Sequence, residues 1–130
     1  MRLERSPIAA AVLVALLPAC GGDSAPSAAR FCEINAELSM MDPFAGDLPT
    51  QIATGLAMRV LLVEAVEVAP AEIEAEITAT LEASDRVLEI VLPAATQGID
   101  GALLIRAASD LESAYAPVEA WVEANCPNAG

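Results

Sequence analysis

The chain has 130 residues and a formal net charge of −13, which comes from 19 acidic and 6 basic residues. The basic residues are all arginine, and neither lysine nor histidine occurs, which excludes histidine-based catalysis and metal ligation. The excess of negative charge opposes binding to nucleic acid. Alanine, leucine and glutamate dominate while aromatic residues make up 3%, so we predict one small all-α domain.

Residues 1–19 have the features of a secretory signal peptide. Arg2 and Arg5 give the chain a positively charged start, and an apolar run from Ile8 to Leu17 follows. This run is too short to cross a bilayer as a helix, which needs about 20 residues. We therefore predict that residues 1–19 are an address that is removed from the mature protein.

The stretch Leu17-Pro18-Ala19-Cys20 resembles the bacterial lipobox, in which an aliphatic residue and two smaller residues precede a cysteine. Pro18 departs from the commonest choices at its position. The resemblance implies cleavage before Cys20 and acylation of that residue. Several acyl chains would hold the protein stably on the cell membrane or outer membrane, outside the cytoplasm. The alternative is an ordinary secreted protein that is cleaved after Ala19.

The segment after Cys20 is composed of small and polar residues and shows no apolar periodicity. We predict that residues 20–29 are the lipidated cysteine and a flexible tether, and that residues 30–130 form the acidic helical domain.

The lipobox resemblance also bears on the other two cysteines. If Cys20 is acylated, Cys32 and Cys126 remain as a natural pair in a compartment that permits disulfides. Such a bridge would tie the two ends of the domain together. We predict a structural role, because a redox pair is more often closely spaced beside a βαβ pattern.

Apolar residues from residue 30 onward recur at helical spacing. The first predicted helix ends before Asp42-Pro43, and its stripe consists of Phe31, Ile34, Leu38 and Met41. The second predicted helix has Pro49 in its first turn. Its predicted stripe consists of Ile52, Leu56, Val60, Val63 and Val66, with Leu62 alongside.

A third predicted helix begins at Pro70 and ends near Leu92-Pro93, with acidic residues opposite an apolar stripe. Residues 99–108 are compatible with either a loop or a short helix. The last helix is predicted to begin at Ser109, because Ser109 and Glu112 match a capping box. Pro117 should kink this helix or divide it. Four such helices with short connections predict a four-helix bundle.

Few residues are candidates for chemistry. Glu72, Glu74 and Glu76 could bind a cation, but acidic residues at a helix start are ordinarily favoured by the helix dipole alone. The serines have no histidine or lysine to activate them, so we expect no catalytic residue, metal or cofactor. Tyr115 and Trp121 are either interface anchors or core residues, and we favour the core.

The whole chain resembles, in style, the short lipoproteins of high-GC bacteria. Those proteins combine a lipobox, a small polar tether and an Ala- and Glu-rich helical domain with an end such as Trp121-Val122-Glu123-Ala124-Asn125-Cys126. The first functional hypothesis is a lipid-anchored, non-catalytic module that binds a protein partner at the cell envelope. The second is a carrier that holds a small apolar ligand in a cavity between the helices.

Overall fold

The computed structural model describes residues 27–127. Cys20, the lipobox and most of the predicted tether lie outside the described residues. The described part contains no strand and consists of four long helices and one short helical turn. Their bounds are α1 Ala28–Ser39, α2 Leu48–Val68, α3 Glu74–Val91, α4 Ala94–Gln97 and α5 Gly101–Asn125.

The predicted all-α fold with a disulfide between its ends is confirmed. Cys32 and Cys126 are bonded, and their Cα atoms lie 5.5 Å apart. This separation is within the usual range of about 4.4 to 6.8 Å. The bond joins the beginning of α1 to the residue that follows α5.

Side-chain caps fix where the first two helices begin. The Ser27 hydroxyl accepts a hydrogen bond of 3.1 Å from the backbone N–H of Arg30. The backbone N–H of Ser27 donates to the carbonyl of Val68 at 3.0 Å, which joins the start of α1 to the end of α2. Asp47 caps α2 through a 3.0 Å bond from the N–H of Thr50, and Pro49 lies in the first turn as predicted.

The core lies where α1, α2, α3 and the second half of α5 meet. The predicted stripe of α1 is confirmed for Phe31, Ile34 and Leu38, which are all buried. The largest fully buried side chains in the described part are those of Phe31, Ile34, Ile77 and Val118. These four side chains come from α1, α3 and α5, and α2 adds the buried Leu62 and Ala65. Their burial holds the bundle together.

The predicted stripe of α2 is wrong at Leu56 and Val60, which are 44% and 70% exposed. Leu62, predicted to lie alongside the stripe, is buried together with Ala65, and Val66 packs against the core. Apolar residues surround this helix on all sides, so the sequence offers no polar face that would set its orientation. The face that packs against α3 is set by close contact instead. Gly55 lies so near Leu88 of α3 that an added Cβ would be 3.0 Å from a Leu88 methyl group.

The predicted starts of the later helices are also corrected. Residues 70–73 form a turn, and α3 begins at Glu74. The last helix begins at Gly101 rather than Ser109, because Asp100 accepts a 3.1 Å hydrogen bond from the N–H of Leu103 and acts as the cap.

Pro117 lies inside α5, which is continuous rather than divided. A proline here leaves the carbonyl of Ser113 without its helical partner. Ser113 and Pro117 are both exposed, so water can bind that carbonyl and the helix continues.

Candidate functional site

The main surface feature of the described part is a groove between α1 and α5. Each long helix packs closely on the next one in the chain order α1, α2, α3, α5, but α1 and α5 approach each other closely at few positions. The space between them has a volume of about 810 Å³. This value lies within the range of about 300 to 1,000 Å³ that is common for small-molecule sites.

Small side chains along its walls explain why the groove stays open. Ala36 and Ser39 line it from α1, Ala108 lines it from α5, and Ser84 lines it from α3. None of these side chains is long enough to reach the opposite helix. A chain with few aromatic residues has little other volume to place there, so the helices leave a gap instead of an interdigitated seam.

Apolar side chains form much of the groove surface. They are contributed by all four long helices and by the loop that follows α1. The apolar lining residues include Leu38, Phe44, Met58, Leu62, Val87, Leu111 and Val122. A surface of this kind favours the burial of an apolar molecule.

Two linked hydrogen bonds cross the groove. The Tyr115 hydroxyl of α5 donates a 2.9 Å bond to Oδ1 of Asn35, and Nδ2 of Asn35 donates a 2.9 Å bond to the carbonyl of Phe31. Asn35 is buried and Tyr115 is partly buried. Burial, and secondly the charge of Glu119, raises the pKa of Tyr115 above its ordinary value, and both effects favour the neutral phenol that donates this bond.

Two hydroxyl groups of α3 line the same space. Thr80 is buried, and its hydroxyl lies 2.9 Å from the carbonyl of Glu76 and 3.3 Å from that of Ala114. Ser84 is only 8% exposed and forms no hydrogen bond within residues 27–127. Since no side-chain oxygen in that range is both fully buried and unpartnered, the Ser84 hydroxyl is open to the groove.

Carboxylates lie along one side of the groove. Glu112, Glu119 and Glu123 of α5 are among its lining residues, and all three are exposed. Their spacing of seven and four residues puts them on one face of the helix, together with Tyr115. Within residues 27–127 none of the three forms an ion pair, and no arginine lines the groove.

The arginines that do form ion pairs lie elsewhere. Arg30 donates to both carboxylate oxygens of Glu64, at 2.5 and 2.8 Å, and this lowers the pKa of Glu64. Arg59 donates to Asp85 at 2.7 Å. These pairs neutralise acidic residues of α2 and α3, so the acidic side of the groove is left without nearby positive charge.

The structure places the predicted site residues as follows. Cys32 and Cys126 both line the groove, and their disulfide joins its two walls. Cys20 lies outside the described residues. Trp121 belongs to the packing of the core, because its ring meets Phe31 edge-on with centroids 5.4 Å apart, and its Nε1–H donates to Glu72 at 3.1 Å.

No group of three potential metal ligands occurs among residues 27–127, and no helix within that range is long and apolar enough to cross a membrane. The search of protein-family models, curated proteins and solved structures gives no match to this chain.

Sequence reasoning missed the polar residues of the groove, namely Asn35, Thr80 and Ser84. The signal for Glu112, Glu119 and Glu123 was present, since their spacing with Tyr115 marks one face of a helix. Which helix lies opposite that face depends on tertiary packing, and the pattern alone does not reveal it.

Proposed function

We propose that this protein is a lipid-anchored, non-catalytic binding module of the cell envelope, which holds a small, largely apolar ligand in the groove between α1 and α5. The observation that carries the proposal is the groove itself, which has small-ligand volume, an apolar lining and a few polar groups that converge on it. The lipobox resemblance at Cys20 supports the anchor.

The chemistry of the groove supports binding over catalysis. The Ser84 hydroxyl has no hydrogen bond to a base in residues 27–127, and the chain has no histidine or lysine that could activate it. The hydroxyl and carboxylate groups there are suited to orient a ligand.

The binding experiment uses the full chain with Cys20→Ser, so that no acyl chain of the protein competes for the groove. N-phenyl-1-naphthylamine, an uncharged fluorophore that brightens in apolar surroundings, serves as the probe. We expect saturable binding to one site. Ala36→Trp fills the groove from an exposed position of α1 and should abolish this binding.

The matched control is Ala120→Trp, which adds the same side chain at an exposed position of α5 that does not line the groove. It should bind the probe like the parent. Absence of saturable binding, or equal binding by the two tryptophan variants, would refute the groove as the ligand site.

The anchor has its own test in a bacterium that processes lipoproteins. The mature protein should begin at Cys20, exceed the mass of its amino-acid chain by that of its acyl groups, and partition with membranes. Cys20→Ser should release it, whereas Ser24→Ala in the tether should not. An unmodified mature chain would refute the anchor and leave the groove proposal intact.

A protein partner is the second candidate function. The observation in its favour is the exposed apolar face of α2, where Leu56 and Val60 are 44% and 70% exposed. Capture of envelope proteins that is lost with Val60→Glu and kept with Ala36→Trp would favour this function over the ligand carrier.

A further inference from the structure

We propose that the ligand of the groove is a cationic amphiphile, a molecule with an apolar body and a positively charged head. This inference rests on the proposed function and specifies the chemical class of the ligand. It follows from the way that charge and apolar surface are distributed around the same space.

The charge of the groove is entirely negative. Glu112, Glu119 and Glu123 line it, whereas Arg30 and Arg59 are held by Glu64 and Asp85 away from it.

The other two arginines of the described part, Arg86 and Arg106, do not line the groove either. A cleft with one sign of charge and apolar walls concentrates the opposite charge and repels its own. Fatty acids and anionic lipids are therefore disfavoured despite the apolar lining.

The apolar and acidic parts of the groove lie side by side. Along α5, Leu111 and Val122 alternate with Glu112 and Glu123, and all four line the groove. A ligand whose body contacts the apolar residues therefore has its head within reach of carboxylates. The Tyr115 ring lines the same stretch, and a phenol ring also attracts a cation.

Ser84 adds a polar group to the largely apolar wall of the groove. The residue is 8% exposed, and its hydroxyl forms no hydrogen bond within residues 27–127 and is open to the groove. A ligand that carries a polar atom beyond its head could form a hydrogen bond with this hydroxyl.

The test compares three molecules with the same decyl chain: decyltrimethylammonium, decanol and decanoate. Each displaces N-phenyl-1-naphthylamine from the full chain with Cys20→Ser, below its micelle concentration. We expect the cation to bind about tenfold more tightly than the alcohol, the combined effect of a few partly screened carboxylates, and the anion to bind most weakly. Added salt should shrink the difference.

The variant Glu119→Gln/Glu123→Gln should bring the ratio of cation to alcohol affinity close to one. Its control, Glu67→Gln/Glu89→Gln, removes the same charge from exposed positions outside the groove and should keep the ratio.

The outcomes separate this inference from the proposed function. If all three molecules displace the probe equally, or decanoate binds best, the groove is a ligand site but the cationic class is wrong. If the control variant loses the ratio as fully as the groove variant, only the net charge of the protein matters and the inference is also wrong. If the probe does not bind the parent protein at all, the proposed function fails and this inference fails with it.

Discussion

Tyr115 on α5 donates a 2.9 Å hydrogen bond to Asn35 on α1, and the two residues are 80 positions apart in the chain. This bond and the disulfide Cys32–Cys126 join the walls of a groove where the two helices otherwise have few close contacts. The Tyr115–Asn35 hydrogen bond therefore helps to hold α1 and α5 together, whereas apolar packing holds the other helix pairs together.

The first prediction is that Asn35 and Tyr115 are energetically coupled. Asn35→Ala should lower the free energy of unfolding by about 1 to 3 kcal/mol, because it leaves the partly buried Tyr115 hydroxyl without its partner. Tyr115→Phe should cost less, about 0.5 to 1.5 kcal/mol. Urea unfolding of the single variants and the double variant measures the coupling.

A matched control pairs Asn35→Ala with Asn125→Ala. Asn125 is exposed and bonds only to the carbonyl of Trp121 within the described chain, so these two effects should add. Strict additivity of Asn35→Ala and Tyr115→Phe would show that the bond contributes nothing.

The second prediction concerns the disulfide, which closes a loop with a sequence separation of 94 residues. In the chain with Cys20→Ser, the double change Cys32→Ser/Cys126→Ser should lower the free energy of unfolding by about 2 to 4 kcal/mol, mainly through the unfolded state. Helical content by circular dichroism should change little, since the caps and backbone hydrogen bonds of α1 and α5 do not depend on the sulfur atoms.

A reductant provides the control for the second prediction. It should lower the stability of the parent to that of the double variant and leave the double variant unaffected. Labelling of two free thiols in the unfolded, unreduced parent would contradict the disulfide.

The sequence predicted α1 and the disulfide well, and the physical reason is local regularity. Phe31, Ile34 and Leu38 stand out as the apolar face of an otherwise polar helix, so only one orientation buries them. Once Cys20 was assigned to acylation, Cys32 had a single possible partner.

The errors have equally specific causes. In α2 the apolar residues lie on every side, so the sequence pattern does not distinguish the buried Leu62 from the exposed Val60. Tertiary packing decides between them. At the last helix two caps compete. Asp100 begins the helix, and Ser109, which matched a capping box, lies in its interior and is exposed.

The groove could not be predicted in the same way. Its opening is due to small side chains such as Ala36, Ser84 and Ala108, and each of these residues would fit equally well into a closed seam. Only the packing of all four long helices decides whether their small volumes leave a gap.

The third prediction concerns acid. The bidentate bond from Arg30 lowers the pKa of Glu64 in the folded protein. A group with a lower pKa when folded stabilises the fold above its unfolded pKa, and this contribution is lost as the pH falls. The contribution of the ion pair to the stability difference between the parent and Glu64→Gln should therefore be full near neutrality. It should begin to shrink as the pH falls below about 4.5 and be lost once the pH is below the lowered pKa of Glu64 in the fold.

Acid also relieves repulsion among the remaining carboxylates, which is why the third prediction is stated as a difference between two proteins. The control is Glu67→Gln, an exposed carboxylate on the same helix with no ion pair in residues 27–127. The stability difference between the parent and Glu67→Gln should not shrink in acid in this way. A parent-minus-Glu64→Gln difference that is constant with pH would contradict the role of the ion pair.

The last prediction uses the fact that Tyr115 is the only tyrosine in the chain. Burial raises its pKa above 10.0, and the charge of Glu119 raises it further. Tyrosinate absorbance should therefore appear at higher pH in the folded protein than in the protein unfolded by denaturant. Because the raised pKa favours the neutral phenol in the fold, its contribution to stability is complete below about pH 10 and is lost as the pH rises.

Variants of the acidic residues separate the two causes of the Tyr115 shift. Glu119→Gln should move the transition only part of the way back, because burial is the larger cause and is unchanged. Glu89→Gln, an exposed carboxylate of α3 outside the groove, should leave the transition where it is. If the folded and unfolded proteins titrate at the same pH, Tyr115 is not held in the groove wall, and the hydrogen bond to Asn35 is not present in solution.

The same titration locates the ligand. If the transition of Tyr115 is raised and decyltrimethylammonium lowers it, the bound cation lies close enough to stabilise the tyrosinate, which places the ligand head beside Tyr115 and Glu119.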